Sequence, residues 1–308
     1  MKYQEMLLSK NGLATKIIAS QFLKCSIGSK VPTVTDLASS YNLSRGTVQN
    51  SIKFLQDNKA VRLESRGHMG NYLISKNTRI LLEFACITSI VGAMPLPYSK
   101  KYEGFATGLI VSTENQYNIP CSMVYMRGAK NRIGMLLSGR CDYAVLSKYA
   151  ASEIVAKYDV LDILKDFGPG SYLSEHVVVF HDKNIHEIKD GMRVGIDRDS
   201  IDQKDLTEKI CQGKKVEYIQ CEYSRILERV LDGDIDVAIW NKDEITDKLI
   251  KVNYLTLDKF NVQDDTEAVI VVNKEHEEIK SLLDELIDVE TTIKIQKLVL
   301  EGKITPNY

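Results

Sequence analysis

An internal repeat constrains the fold of this 308-residue chain more than any single motif does. The stretch 133–146 resembles the stretch 226–240. Three pairs of residues match at a constant offset of 94 residues: Gly139 with Gly233, Asp142 with Asp236, and Ala144 with Ala238. In both copies a helical pattern ends at a glycine, which suits a helix C-terminus, and an aspartate then opens an apolar strand. Two copies of such a unit predict two similar α/β lobes.

A second pair of similar segments extends the repeat. Residues 174–179 resemble residues 266–271, which lie 92 positions later. We expect these valine-rich strands to be the connections between the lobes. The two matched halves resemble the type 2 periplasmic-binding-protein fold, which cytosolic regulators also use as an effector sensor. That resemblance implies a ligand cleft between the lobes.

The strand ends of this part of the chain nominate ligand-binding residues. Ligands of open α/β sheets bind beyond the carboxyl ends of strands, where helix N-termini favour anions. The candidates that follow predicted strands are Pro97, Tyr98, Ser99, Ser147, Lys148, Asp197, Arg198, Asp199, Ser200, Trp240 and Asn241. Arg198 or Lys148 could pair with a carboxylate or a phosphate, and Trp240 could pack on a ligand. Solvated loop charges and a core tryptophan are the alternatives. Residues 168–172 favour a turn over a cleft contact.

The first 75 residues follow a different pattern, that of a helix-turn-helix. Leu13, Ile17, Ile18 and Phe22 fall on one face of a first helix. A short helix follows, which a Thr33-x-x-Asp36 capping box begins and Asn42 ends. A third helix begins after Ser44, and its stripe Val48, Ile52 and Leu55 faces the other two. This arrangement offers the N-terminal end of the third helix to a DNA major groove.

A predicted β-hairpin follows the three helices. Strands at 61–64 and 71–74 flank a basic tip with two glycines. The ordered set of helices, turn and hairpin resembles the winged helix of GntR-type bacterial regulators, although Gln49 stands where that family usually has a basic residue. The resemblance implies DNA contacts by Thr33, Ser44, Arg45, Thr47, Gln49, Lys53, Arg66, Gly67, His68 and Gly70. A winged helix used only for protein contacts is the alternative.

The charge distribution favours DNA. Residues 1–75 carry ten basic and four acidic side chains, a net charge of +6, whereas the whole chain carries −2. The remaining residues therefore carry −8. A compact unit of charge +6 suits a phosphate backbone.

These features together resemble the YhfZ-type regulators. The predicted fold class is an α+β winged helix-turn-helix at residues 1–75, followed by an α/β two-lobed periplasmic-binding-protein-like domain of type 2 at 80–308. The lobes span about 80–176 with 268–308, and about 177–267. The predicted partners are double-stranded DNA, a small polar or anionic effector and a second copy of the chain in a homodimer. We expect lobe closure to reposition the winged helices.

Other classes of protein fit the sequence less well. The longest apolar stretch, residues 80–97, is interrupted by polar residues, so we expect no membrane span and a cytoplasmic protein. The five histidines and six cysteines form no recognisable metal or catalytic motif. We therefore expect no catalytic residues, no metal, no cofactor and no enzyme. A ligand-binding enzyme and a protein-docking module are the alternatives.

Overall fold

The structure, a computed structural model, describes residues 8–117, 119–257 and 263–308. These residues form two compact units. The first unit comprises the described parts of Met1–Ile90, Thr113–Cys121 and His276–Leu286. The second unit comprises Val91–Ser112, the described parts of Ser122–Glu275, and Ile287–Tyr308. The first unit is thus larger than the domain predicted at 1–75.

The first unit contains a helix-turn-helix and a hairpin. Its elements are α1 (Lys10–Lys24), α2 (Val34–Ser40), α3 (Arg45–Asp57), β1 (Val61–Ser65), β2 (Asn71–Lys76) and α4 (Thr78–Phe84). Strands β1 and β2 pair antiparallel, with Val61 opposite Lys76 and Ser65 opposite Asn71. A single 3₁₀ turn at Gly67–Met69 lies at the tip. The wing predicted from the sequence is therefore present.

Local side-chain chemistry fixes the ends of these helices. The Thr33 and Asp36 side chains form the predicted capping box at the start of α2. Asn42 adopts a left-handed backbone with φ of 52°, as the tight turn after α2 requires. The Ser44 Oγ accepts a 3.1 Å hydrogen bond from the Thr47 amide and caps α3.

The core of the first unit agrees with the predicted faces in part. The stripe of α3 is buried at Val48, Ile52 and Leu55, as predicted. On α1, Ile18 and Phe22 are buried, as Ala14, Ala19 and Leu23 also are. Leu13 and Ile17 are only half-buried. The buried face of α1 is therefore rotated away from two of its four predicted members.

The second unit alternates strands and helices in two lobes. Its first lobe contains β3 (Ile90–Met94), α5 (Lys100–Tyr117), β4 (Cys121–Tyr125), α6 (Ala129–Leu137), β5 (Tyr143–Ser147), α7 (Lys148–Val155) and β6 (Leu161–Asp166). Its second lobe contains β7 (His176–Phe180), β8 (Arg193–Ile196), α8 (Ile201–Ile210), β9 (Glu217–Gln220), α9 (Tyr223–Leu231), β10 (Val237–Asn241), α10 (Lys242–Asp247) and β11 (Asn253–Thr256). The chain then forms β12 (Ala268–Asn273), α11 (Glu277–Leu286) and α12 (Val289–Leu300). Helix α11 lies wholly in the first unit, whereas β3, α5 and β4 each have residues in both units.

Helix α5 is longer than the sequence predicts, since it runs to Tyr117 instead of ending near Thr107. Two of its glycines lie against the backbone of α12. A Cβ atom on Gly104 would lie 2.9 Å from the Gln296 carbonyl oxygen, and one on Gly108 would lie 2.5 Å from that of Thr292. Glycine at these positions allows the two helices to pack closely.

The two sheets have the same design. Their strand orders are β4-β3-β5-β12-β6 and β9-β8-β10-β7-β11. In each sheet the central strand pairs parallel with one neighbour and antiparallel with the other: β5 with β3 and β12, and β10 with β8 and β7. The repeat predicted from the sequence therefore corresponds to two lobes whose sheets have the same strand arrangement.

The valine-rich segments lie within the sheets. We expected 174–179 and 266–271 to be the connections between lobes, but β7 and β12 are interior strands of the second and first sheets, next to the central strands. The chain crosses between β6 and β7 and returns between β11 and β12. The connections are therefore the segments just before β7 and β12, and the expectation was wrong. The valine-rich segments form strands inside the sheets because apolar strands are stable where both faces are buried. Part of the return, residues 258–262, lies outside the described residues.

Candidate functional site

The first unit exposes most of the residues predicted to bind DNA. On α3, Arg45, Gln49 and Lys53 follow one another at four-residue intervals and share an exposed face. Thr33 and Ser44 lie at the N-termini of α2 and α3, where their side chains are caps. Of the ten predicted residues, Thr47 and Gly70 are half-buried, and the exposed ones are Thr33, Ser44, Arg45, Gln49, Lys53, Arg66, Gly67 and His68.

The tip of the wing has a defined shape. The Arg66 guanidinium lies 4.3 Å from the centre of the Tyr72 ring, and its Nε donates a 2.8 Å hydrogen bond to Glu64. Gly70 has a φ of 91°, and a Cβ atom there would lie 3.0 Å from the Lys30 Cε. The tip therefore presents an arginine near Gly70, a position where any larger residue would strain the backbone.

The second unit contains a cavity of about 70 Å³ between its two lobes. Its wall comes from the carboxyl ends of strands and from the helix N-termini that follow them. The lining residues are Pro95, Leu96, Tyr98, Tyr102, Arg127, Gly128, Ala129, Arg132, Tyr172, Leu173, His176, Asp197, Ser200, Ile201, Asp202 and Tyr223. The N-termini of α6, α8 and α9 contribute residues to this wall. The site is therefore suited to an anionic group.

Arg132 is the most buried cation of the cavity wall, with 4% of its surface exposed. Its Nε donates to the Val145 carbonyl at 3.0 Å, and one terminal nitrogen donates to the Met126 carbonyl at 2.8 Å. The other terminal nitrogen lies 3.4 Å from the Tyr172 hydroxyl. Within the described parts of the chain, no carboxylate forms an ion pair with Arg132.

Two aspartates from the second lobe face the cavity. The Asp197 carboxylate accepts hydrogen bonds from the Tyr223 amide at 2.8 Å and the Asp199 amide at 3.0 Å, so it fixes the ends of β8 and β9. The Asp202 carboxylate accepts a 2.8 Å hydrogen bond from Ser147, across the cavity on the first lobe. Burial raises the pKa of Asp202 to about 6, although the Ser147 hydroxyl and the Arg132 charge act in the opposite direction.

Aromatic residues complete the wall, and they are uncharged. Burial raises the pKa of each of four phenols, which belong to Tyr98, Tyr102, Tyr172 and Tyr223. Burial lowers the pKa of His176 to about 4, so this imidazole is neutral. Behind the wall, Trp240 stacks on Tyr223 with ring centres 4.3 Å apart.

Several buried polar atoms at this end of the second lobe have no hydrogen-bond partner among the residues that the structure describes. They are the His176 Nδ1, the Trp240 Nε1, the Asn241 Nδ2 and the Glu244 Oε1, on residues that are 1–3% exposed. Burial also raises the pKa of Glu244 to about 7. Buried polar atoms normally have partners, and unpartnered ones are typical of sites that hold water or a ligand.

The predicted ligand residues divide into three groups. Tyr98, Asp197 and Ser200 line the cavity. Ser147 and Trp240 do not line the cavity but contact residues that do. Ser147 contacts Asp202, and Trp240 contacts Tyr223. Outside the lining residues are Pro97, Ser99, Lys148, Arg198, Asp199 and Asn241.

The lysine that follows each repeat strand has a structural partner. The Lys148 Nζ lies 2.8 Å from Glu267 and 2.9 Å from Asp166. At the matching position, Lys242 pairs with Glu175. The two ion pairs are repeats of each other, and in each the lysine amide also donates to the carbonyl of the same glutamate. Lys148 therefore joins β5 to β12 in this structure.

Sequence reasoning missed the arginines and most of the aromatic residues of the wall. Arg127 and Arg132 follow β4, and Tyr223 follows β9. Both strands were predicted, and the rule of carboxyl ends would have nominated these segments had it been applied to them. Tyr172 lies in the predicted turn at 168–172, which is a turn and also lines the cavity.

Comparison with known proteins identifies the family. A family model described as the YhfZ C-terminal domain matches residues 77–308, and a model described as a helix-turn-helix domain matches residues 26–73. YhfZ of Escherichia coli (strain K12) is 33% identical over 304 residues, which cover 98% of each chain. The chain belongs to the YhfZ family. Its helix-turn-helix domain points to DNA binding.

Solved structures support the same assignment to the YhfZ family. The crystal structure of YhfZ from Shigella flexneri is 32% identical with a TM-score of 0.61, covering 75% of this chain and 97% of that one. The sulphonate-binding protein SsuA from Escherichia coli has a TM-score of 0.52 at 13% identity, over 70% of this chain and 74% of that one. The methionine-binding protein MetQ has a TM-score of 0.50 at 12% identity, over 72% and 98%. The second unit therefore has a periplasmic-binding-protein-like fold, as the sequence predicted.

No helix among the described residues is both long and apolar enough to cross a membrane.

Proposed function

We propose that this member of the YhfZ family is a cytoplasmic transcription regulator. In this proposal a GntR-like winged helix in the first unit binds operator DNA, and the second unit binds a small polar metabolite that changes the affinity for DNA. The observation that carries the proposal is the cavity between the lobes with a buried guanidinium in its wall, in a chain that also has a helix-turn-helix. SsuA, a sulphonate-binding protein, and MetQ, a methionine-binding protein, bind small molecules on the same fold.

The first unit supports the DNA part of the proposal. Arg45, Gln49 and Lys53 form an exposed face of α3. Arg45 and Gln49 lie in its N-terminal half, the part of a recognition helix that reaches base edges and phosphates. The wing adds Arg66 beside Gly70 at its tip. We also propose that the chain is a homodimer on a two-fold operator, since helix-turn-helix proteins commonly bind paired half-sites.

DNA binding and its response to ligand test this function directly. A fluorescent duplex with the sequence upstream of the protein's own gene is titrated with the full chain, and anisotropy is recorded. We expect binding that weakens steeply with salt. The titration is then repeated with each compound that raises the melting temperature of the protein, and we expect at least one to change the affinity. Absence of DNA binding at low salt would contradict the proposal, and turnover of a bound compound would favour an enzyme.

A further inference from the structure

We propose that the cavity of the second unit binds a small α-amino acid, with its carboxylate on Arg132 and its ammonium group on Asp202. This inference rests on the proposed function, because it names the chemical class of the ligand.

The unused N–H groups and the burial of Arg132 favour binding of an anion. A guanidinium has five N–H groups, and hydrogen bonds to described residues use three of those of Arg132. The side chain is 4% exposed, so water reaches little of it. A buried charge without an ion-pair partner is costly. The carboxylate of a ligand, held also by the N-terminus of α6 at Gly128 and Ala129, would supply the missing partner.

The carboxylate of Asp202 can accept further hydrogen bonds from a ligand. Its two oxygens offer about four lone-pair directions, whereas the single hydroxyl proton of Ser147 can occupy one. The other aspartate of the wall, Asp197, already accepts two backbone hydrogen bonds. Asp202 is therefore the better partner for an ammonium group with its three N–H donors.

The arrangement of the charges selects a zwitterion. Arg132 lies on the first lobe and Asp202 on the second, and the arginine charge influences the carboxyl without an ion pair between them. The charged residues of the wall are Arg127 and Arg132 against Asp197 and Asp202, and Arg127 also forms an ion pair with Glu222. A dianion would meet two carboxylates, whereas a ligand with one positive and one negative end complements both sides.

The remaining wall fits the body of a small amino acid. One water molecule needs about 10–15 Å³, so a cavity of about 70 Å³ holds a compact ligand. Its uncharged lining of four tyrosines, Leu173 and Ile201 can contact a side chain. The unpartnered Nδ1 of the buried His176 offers one further hydrogen bond.

The first experiment screens ligands by thermal shift. The full chain is mixed with each of the protein L-amino acids, and in parallel with dicarboxylates and phosphorylated sugars. Any amino acid that raises the melting temperature is compared by calorimetry with its des-amino acid and its decarboxylated amine. We expect each analogue to bind at least about tenfold more weakly, since each loses a hydrogen-bonded charge.

The second experiment assigns the ammonium contact to one residue. Asp202→Asn keeps an oxygen that can accept the Ser147 hydrogen bond, so the fold should persist. We expect this variant to bind the amino acid at least about tenfold more weakly and the des-amino acid unchanged. The matched control is Asp205→Asn, because Asp205 also lies on α8, accepts a hydrogen bond from Tyr149 across the cleft and does not line the cavity.

The outcomes separate this inference from the proposed function. If no amino acid raises the melting temperature, or if the des-amino acid binds as tightly as the amino acid, the inference is wrong. A dicarboxylate or phosphorylated sugar that binds in the same screen would overturn the inference and leave the proposed function in place. The proposed function would be contradicted only by a separate finding, that the full chain does not bind DNA.

Discussion

Ser147 on the first lobe donates a 2.8 Å hydrogen bond to the carboxylate of Asp202 on the second lobe. Two more polar contacts join the lobes nearby, from Tyr149 to Asp205 at 3.0 Å and from Arg127 to Glu222 at 3.1 Å. The lobes of the second unit are therefore in contact around the cavity. Ser147 also caps α7 by accepting from the Ala150 amide.

Ser147→Ala should lower the free energy of unfolding by about 1–3 kcal/mol, because it removes a hydrogen bond to a carboxylate and a helix cap. Urea denaturation measures this. The matched control is Ser152→Ala, since Ser152 is exposed and donates only to the Lys148 carbonyl in its own helix. Equal effects of the two substitutions would show that neither the contact with Asp202 nor the cap of α7 contributes measurable stability.

Asp202 should make the stability of the ligand-free protein depend on pH. Its pKa is about 6 in the folded protein against an ordinary value of 3.8, so the folded state binds more protons between these values. Stability from this group is complete below about pH 4 and is lost as the pH rises through about 6. Asp202→Asn should therefore match the native chain at about pH 4 and exceed its free energy of unfolding by about 3 kcal/mol at about pH 8, since each unit of pKa difference corresponds to about 1.4 kcal/mol. Urea titrations at the two pH values measure this, and an equal difference at both would contradict it.

The aspartates of the repeat should be structural in both lobes. The Asp142 carboxylate accepts a 2.7 Å hydrogen bond from the Val91 amide, at the start of the parallel neighbour strand, and the Asp236 carboxylate does the same for the Arg193 amide. Asp142→Ala and Asp236→Ala should each lower the free energy of unfolding by about 1–3 kcal/mol. The exposed Asp159→Ala is the control. A repeat aspartate that behaves like the control would not anchor its strand.

The single tryptophan should report ligand binding. Trp240 stacks on Tyr223, which lines the cavity, and Trp240 is 2% exposed. A ligand that contacts Tyr223 should change the intrinsic fluorescence on titration, with the same midpoint as calorimetry. Trp240→Phe should retain binding by calorimetry and lose the optical signal. Binding without any change in fluorescence would place the ligand away from Tyr223.

Much of the fold is predictable because the repeat and the caps are local signals. Gly139 and Gly233 have φ values of 66° and 80°, as the predicted helix C-termini require. The capping box of Thr33 and Asp36 and the left-handed Asn42 also follow from a few adjacent residues. Each of these features is set by backbone chemistry within one turn.

The cavity is less predictable because it forms where distant segments meet. Arg132 lies on the buried side of α6 beside Ala129, Ile133 and Leu136, a position where sequence patterns predict an apolar residue. Asp202 lies in the first turn of α8, where an acidic residue is also typical of simple helix stabilisation. Only the packing of the two lobes brings these charges to one cavity.

The salt dependence of DNA binding by Arg45→Ala tests the central claim most directly. The dissociation constant for the upstream duplex is measured between about 50 mM and about 200 mM salt for the native chain and for Arg45→Ala. The control is Arg225→Ala, which removes the same charge from an exposed side chain on α9 of the second unit. We predict tight binding at low salt, a slope of log K against log salt that Arg45→Ala reduces by about 1, and no effect of Arg225→Ala. Absence of binding, or equal loss in both variants, would contradict the account.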